Sequence, residues 1–259
     1  MIPYDKLAAI TEEHPYPLLF VTISGAHLYG FASPDSDFDL RGVHNLPLSM
    51  LLGLEQGQDT FELSNQDHGL DLDLVTHDAV KFFKLMLKNN GYVLEQLYSP
   101  LIVKSTPVFE ELKDIGKGVI TRHHGRHYMG FAQNQWHLYQ KESPKRLKPL
   151  LYVFRVLLTG LHLMRSGKLE ANLQALNAEF NLPYIPELME QKINGKEKIT
   201  IGDDKFHFYE QEYQRLLALL DDAYAKSQLP EYPSANSALH DLLLRIRLSG
   251  STQNSGFKN

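Results

Sequence analysis

The sequence predicts an α/β chain of the α+β kind, with a small mixed sheet flanked by helices and then a helical C-terminal lobe. Three observations carry this. Within about the first ninety residues, short apolar or alternating runs are punctuated by glycine and proline. The hydrophobic period then changes over Thr76 to Asn90, and from about Thr106 onward strand signals largely vanish.

Each element follows from its own pattern. Leu18 to Ile23 is an apolar run ended by Ser24-Gly25, as expected of a buried strand entering a tight turn. Asp37 to Val43 alternates Phe38, Leu40 and Val43 with Asp37, Asp39 and Arg41, and reads as a second strand. Leu48 to Leu54 is a short helical candidate, Thr60 to Leu63 a third strand and Leu70 to Val75 a fourth. Ala79, Val80, Phe82, Phe83, Met86 and Leu87 recur at helical spacing. Thr76 and Asp78 are available at the start of that helix, and Asn90-Gly91 marks its end. Further helices are expected near 107–116, 121–140, 145–167, 172–180, 205–226 and 236–248. A hairpin is expected near Lys192 to Phe208, a loop over Gln228 to Asn236 and a frayed tail from Ser249.

Composition removes several classes. With 43% hydrophobic and 22% charged residues the chain is too apolar to be disordered, so a core and two lobes are expected. The opening residues carry Asp5, Glu12 and Glu13 and no signal-peptide core, so no export is implied. Apolar runs such as Leu18 to Val21 and Leu150 to Leu158 fall short of the roughly 20 residues that span a bilayer, so no transmembrane helix and no membrane partner are expected. The absence of cysteine removes disulfides and thiolate metal ligands and fits a cytoplasmic address. A formal charge of −5 argues against a broad nonspecific grip on nucleic acid, although a local basic patch remains open.

The chemistry lies in Ser24-Gly25-Ala26-His27-Leu28-Tyr29-Gly30 and in Ser36-Asp37-Phe38-Asp39-Leu40-Arg41-Gly42. Strand residues i and i+2 share a face, about 6.6 Å apart, so Asp37 and Asp39 can converge on one hard cation or a close pair. Magnesium takes few carboxylates and completes its shell with water and phosphate oxygens, so these acids beside an anion-binding turn suit a magnesium nucleotide site. Gly25 permits the tight turn. Asp71 and Asp73 repeat the spacing on a later strand and can bring a third carboxylate, which could also take a proton from an attacking hydroxyl. An isolated Asp-x-Asp is common and usually only solvated. Here the turn glycines, the gap and the later acid strand before a helix agree with one another.

This stretch resembles the nucleotidyltransferases of the DNA polymerase β-like superfamily, whose pattern is glycine-serine, a spacer of about ten residues, then Asp-x-Asp. Asp73-Leu-Val-Thr-His-Asp, Lys81-Phe82 and Leu94-Glu95-Gln96-Leu97-Tyr98-Ser99-Pro100 look like the bacterial and phage group that includes RNA-ligase-associated proteins. The resemblance implies a catalytic domain over 1–105, a helical domain over 106–250 and a flexible tail over 251–259. It implies that Asp37 and Asp39 hold magnesium, or manganese, and that Asp73, in preference to Asp71, is the third carboxylate. Gly25 would shape the phosphate turn. The implied reaction transfers a nucleoside monophosphate from a nucleoside triphosphate such as ATP to a hydroxyl or phosphate on an RNA end, a protein or a small molecule. The chain departs from the pattern at Ala26, where the family carries serine; Ser24 or Ser36 could supply the missing hydroxyl.

Other residues keep two readings each. Arg41 shares the face of Asp39, where it could contact a nucleotide phosphate or neutralise Asp39 and Asp35. His27 could contact nucleotide or metal, or be an exposed turn residue. Arg122, His123, His124, Arg126, His127, Tyr128 and Trp136 interleave basic and aromatic groups that could bind phosphate or bases, against a solvated helix face. Lys148, within the basic run Lys141 to Lys148, could border the nucleotide. Arg155 sits in an apolar run and needs a partner, either a structural carboxylate such as Glu95 or a substrate phosphate. Two alternatives to an enzyme remain: a noncatalytic nucleotide or RNA binder that kept the fold, and an antitoxin-like regulatory partner.

Overall fold

In the computed structural model, which describes residues 2–65, 70–195 and 205–249, the chain forms two compact units. The first comprises residues 1–24, 37–119 and 232–259, and the second 25–36 and 120–231. These units do not follow the division at 105/106 drawn from the sequence. Residues 107–119 and the C-terminal helix pack with the sheet, because their apolar faces are buried there.

The first unit is built on a five-stranded sheet of order β3-β4-β2-β1-β5, with strands β1 (Leu18–Ile23), β2 (Phe38–His44), β3 (Thr60–Asn65), β4 (Leu72–Asp78) and β5 (Ile102–Ser105). All six residues of β1 are buried, as expected of a central strand. Only β2 and β4 pair in parallel; the other neighbours are antiparallel. One face packs Val21, Ile23, Leu40, Leu72 and Leu74 against Leu7 and Ile10 of helix α1 (Tyr4–Glu12). On the other face Phe20 meets Phe82 of α4 (Ala79–Leu87) and Phe109 of α6 (Pro107–Gly116), with ring centroids 5.6 and 4.5 Å apart. Helices α3 (Leu48–Leu52), α5 (Gly91–Leu97) and α12 (Asn236–Ser249) complete this unit.

Gly42 permits the close β1–β2 pairing. A Cβ at this position would stand 2.4 Å from the Phe20 carbonyl oxygen and 3.0 Å from Val21 Cγ2. A backbone carbonyl in a central strand cannot retreat cheaply. Gly42→Ala is therefore expected to destabilise the protein by about 2–3 kcal/mol, read as a lowered urea midpoint.

The second unit is helical: α2 (Gly25–Tyr29), α7 (His124–Lys141), α8 (Leu147–Ser166), α9 (Leu173–Phe180), α10 (Tyr184–Asn194) and α11 (Phe206–Lys226). Helix α8 is its axis, touching α7, α9, α10 and α11. It is the one helix among the described residues long and apolar enough to cross a bilayer, and 78% of its apolar window is buried inside the protein, as in a core helix. Gly160 lets Tyr128 and Leu220 approach α8 closely, and Gly167, at φ 69°, ends it in a left-handed cap.

Several expectations shift. Thr76 lies in β4, and Asp78 alone caps α4, accepting from the Val80 N–H at 3.0 Å. Asn90 serves two helices: after Asn89 at φ 57° its N–H closes the last turn of α4 on the Leu85 carbonyl at 3.3 Å, and its side chain caps α5, accepting from the Tyr92 N–H. Helices α1, α5 and α10 and strand β5 have no counterpart in the sequence reading; each is short or interrupted by proline or glycine. The flanks of the expected 192–208 hairpin are helical, in α10 and α11, while residues 196–204 and the expected tail over 251–259 lie outside the described residues.

Candidate active site

The parallel pairing of β2 with β4 sets Asp39 directly opposite Asp73. Both stand on the face that carries Arg41, because side chains alternate along each strand and Leu40, Leu72 and Leu74 face the α1 core. The Arg41 guanidinium lies between the two acids. Its Nη2 donates to Asp39 Oδ1 at 2.8 Å and Asp73 Oδ2 at 2.9 Å, and its Nη1 to the Leu40 and Asp73 carbonyls at 2.8 and 2.7 Å. Its Nε donates to Tyr92 Oη at 3.0 Å. A guanidinium has five N–H groups, and all five are engaged. Arg41 neutralises Asp39 and Asp73. Burial works against its charged form, but Tyr92, Asp39 and Asp73 together hold its pKa above the ordinary value.

Asp73 also accepts from Ser64 Oγ at 3.2 Å, and the Asp39 carbonyl accepts from the Ser24 N–H at 2.8 Å. Asp37 and Asp71 precede the strands, and the Asp71 carbonyl accepts from Phe38 N–H at 2.9 Å. Among the described residues no group of three or more acidic or histidine side chains is gathered closely enough to hold a metal ion. Asp39 and Asp73 are therefore brought together, while Asp37 is not drawn into a three-ligand cluster with them. Two carboxylate oxygens within 3 Å of one cationic nitrogen can nevertheless reach a single hard cation. The all-oxygen donor set fits magnesium or manganese completed by water and phosphate oxygens, with Arg41 as the resident counter-charge.

The remaining expected site residues belong to the helical unit. Gly25 opens α2 at φ 59°, a conformation that favours glycine, and Ala26 is buried, its carbonyl accepting from Phe31 N–H at 3.1 Å. The Ser36 hydroxyl accepts from Ser33 N–H and meets Ser33 Oγ, both at 3.0 Å, and Ser33 Oγ also takes a 2.6 Å bond from the buried Lys192. Ser24, in the first unit, has a buried hydroxyl with no hydrogen-bond partner among the described residues. Of the two serines that could replace the hydroxyl absent at position 26, Ser24 is the uncommitted one. Arg155 is 2% exposed, with its guanidinium 4.0 Å from the centre of the Tyr29 ring, so it packs α8 onto α2. Lys148 stands half-buried in the first turn of α8. Tyr92 and Ser64 had no signal in the sequence: neither belongs to a motif, and only the fold brings them to the acids.

The other end of the same strand pair is a histidine cluster. His44 Nδ1 and His14 Nε2 share the Thr76 hydroxyl at 2.8 and 2.9 Å, and His44 Nε2 is buried with no partner among the described residues. Burial, then the neighbouring His14, push His44 down to about 4, although Asp78 pulls the other way. In the helical unit burial likewise pushes His124 down to about 4. In both cases the unfolded chain takes up protons first, so the stability these groups give is complete above about pH 6.5 and is lost as pH falls toward 4. The melting temperature is expected to drop by roughly 5–10 °C between pH 7 and pH 4.5, with His44→Gln flattening part of that slope.

The chain matches the family described as the RNA repair pathway DNA polymerase beta family over residues 2–245. It is 30% identical over 236 residues to an uncharacterised protein of Methanocaldococcus jannaschii, covering 89% of this chain and 94% of that one. It is 26% identical over 250 residues to the uncharacterised protein YcgL of Bacillus subtilis, covering 93% of each. The resemblance read from Gly25 to Gly42 therefore extends over both units, and the chain belongs to the RNA repair pathway DNA polymerase beta family.

Proposed function

We propose that the protein is a magnesium- or manganese-dependent nucleotidyltransferase that moves a nucleoside monophosphate from a nucleoside triphosphate such as ATP to an acceptor, for which an RNA end is our choice. The observation that carries this is the convergence of Asp39 and Asp73 on one cation. The family description supports nucleotidyl transfer and favours RNA as the acceptor. Asp39 and Asp73, joined by Asp37 once a nucleotide is bound, are assigned as the metal-holding set, and the bound ion supplies charge stabilisation of the phosphates.

In this reading the acceptor oxygen attacks the α-phosphorus while the bond to the pyrophosphate oxygen breaks. Asp73 takes the acceptor's proton when the acceptor is a hydroxyl. Tyr92 and Ser64 hold Arg41 and Asp73 in place, so Asp39 and Asp73 are preorganised before a nucleotide binds. Gly25, Ala26, Ser36 and Lys148 are assigned to the nucleotide, Gly25 for its turn and Lys148 for phosphate charge, whereas Arg155 is committed to the packing of α8 against α2. A cytoplasmic location belongs to the same reading.

One observation favours a second reading: Arg41 already neutralises both carboxylates, as a noncatalytic nucleotide or RNA binder would permit. Transfer of label from α-labelled nucleotides into a mixture of RNA, protein and small metabolites, with the native chain against Asp39→Asn, separates the two readings. Label moved only by the native chain supports the transferase, and the labelled fraction names the acceptor. Magnesium-dependent nucleotide binding without any transfer supports the binder.

A further inference from the structure

A separate set of chemistry-bearing side chains is gathered within the helical unit. Arg122 and Arg126 place their guanidinium carbons 5.2 and 5.1 Å from the centre of the Tyr224 ring, and the His123 ring is tilted against it at 6.5 Å. Tyr224, on α11, is 8% exposed, and Gly125 makes room for it: a Cβ there would come 3.1 Å from the ring. Among the described residues Arg122, His123 and Arg126 form no ion pair, whereas Arg146, Arg215 and Arg245 are each matched to a carboxylate. On α11, Asp222 is held by Lys226 at 2.8 Å, and Asp221 is exposed and pairs with neither arginine.

Two atoms of this cluster are buried without a hydrogen-bond partner among the described residues, Arg122 Nε and Tyr224 Oη. Like charges gathered on one ring repel, and buried unpartnered donors are destabilising. An anion relieves both. A guanidinium laid on an aromatic face keeps its N–H edge free, and that edge fits two oxygens of one phosphate. The ring itself is too buried to stack a base, and without an acid the cluster does not suit a metal ion.

We propose that Arg122, Arg126 and Tyr224 form a phosphate-binding site in the helical unit, for a phosphate carried by a single-stranded nucleic acid or by a nucleotide. The choice of probes rests on the transferase reading; the site rests on the cluster. Binding needs no turnover, so the two can fail separately.

The test measures binding of a short fluorescent single-stranded RNA, and of magnesium ATP, to the native chain and to Arg122→Gln/Arg126→Gln over a salt series. RNA affinity is expected to fall about tenfold or more at low salt, with the salt slope reduced by about 1.4, or ~0.7 for each lost contact. Arg122→Lys/Arg126→Lys is expected to restore the slope but not the full affinity, because the fork is lost. A tenfold loss confined to ATP assigns the phosphate to the nucleotide and also supports the site. Unchanged affinity and slope for both probes overturn it. Should the double variant fail to fold, the exposed Arg126→Gln alone carries the test, with a slope change of about 0.7.

Discussion

Asp39→Asn is expected to lower nucleotidyl transfer by at least about a thousandfold while leaving the protein folded. The substitution keeps the size of the side chain and removes one of the two charges that converge on Arg41 Nη2. A neutral amide presents a weaker oxygen to a hard cation and turns a charge-assisted bond from Arg41 into an ordinary one. Stability is expected to change by no more than about 1–2 kcal/mol, because Asp39 is only partly buried and its backbone bond to Ser24 survives. The measurement is label transfer under magnesium or manganese beside a thermal melt. Asp73→Asn should lose as much transfer, since Asp73 stands opposite Asp39 in register. Transfer at the native rate by Asp39→Asn would remove these acids from the reaction altogether.

The largest effect on stability is expected at Asp78. Its carboxylate accepts two bonds of 2.6 Å from Arg247 Nη2 on α12, one from the Val80 N–H at the start of α4 and one of 3.1 Å from the Leu46 N–H. Arg247 Nη1 also donates to the Leu46 carbonyl at 2.9 Å and to Asn45 Oδ1. The two side chains are 6% and 3% exposed, so neither charge can turn to water when the other is removed. Asp78→Ala is expected to cost about 3–5 kcal/mol, since it strands a buried guanidinium and removes the cap of α4. The combined Asp78→Ala/Arg247→Met change should cost clearly less than the sum of the two single changes, because the stranded charge is then gone. Urea titrations of the four proteins measure this coupling. Additive costs would mean that the pair does not clamp α12 to the sheet unit.

The polar pattern of the sheet was open to reading because strands alternate with period two. Asp37-x-Asp39 and Asp71-x-Asp73 announce one polar face, and Leu18 to Ile23 announces a central strand, whatever pairs with them. Asn90-Gly91 shows where local reading is incomplete. Asparagine before glycine suits the end of a helix and equally the start of the next; here α4 ends and α5 begins at this point, and the second helix was decided by the burial of Val93, Leu94 and Leu97. Strand β5 gave little signal because it is a short edge strand with a mixed pattern.

By itself, the sequence determined the α+β class, the central strands, most of the helices and the acids proposed to carry the chemistry. These depend on periodicity and on residue type, which are local. The tertiary structure alone decided that Asp39 faces Asp73, that Arg41 spends every donor on those acids, Tyr92 and nearby backbone, and that Arg247 closes on Asp78 across 169 residues. Register between parallel strands and the burial of a distant ion pair depend on which surfaces exclude water together, and that is fixed only when the whole chain packs.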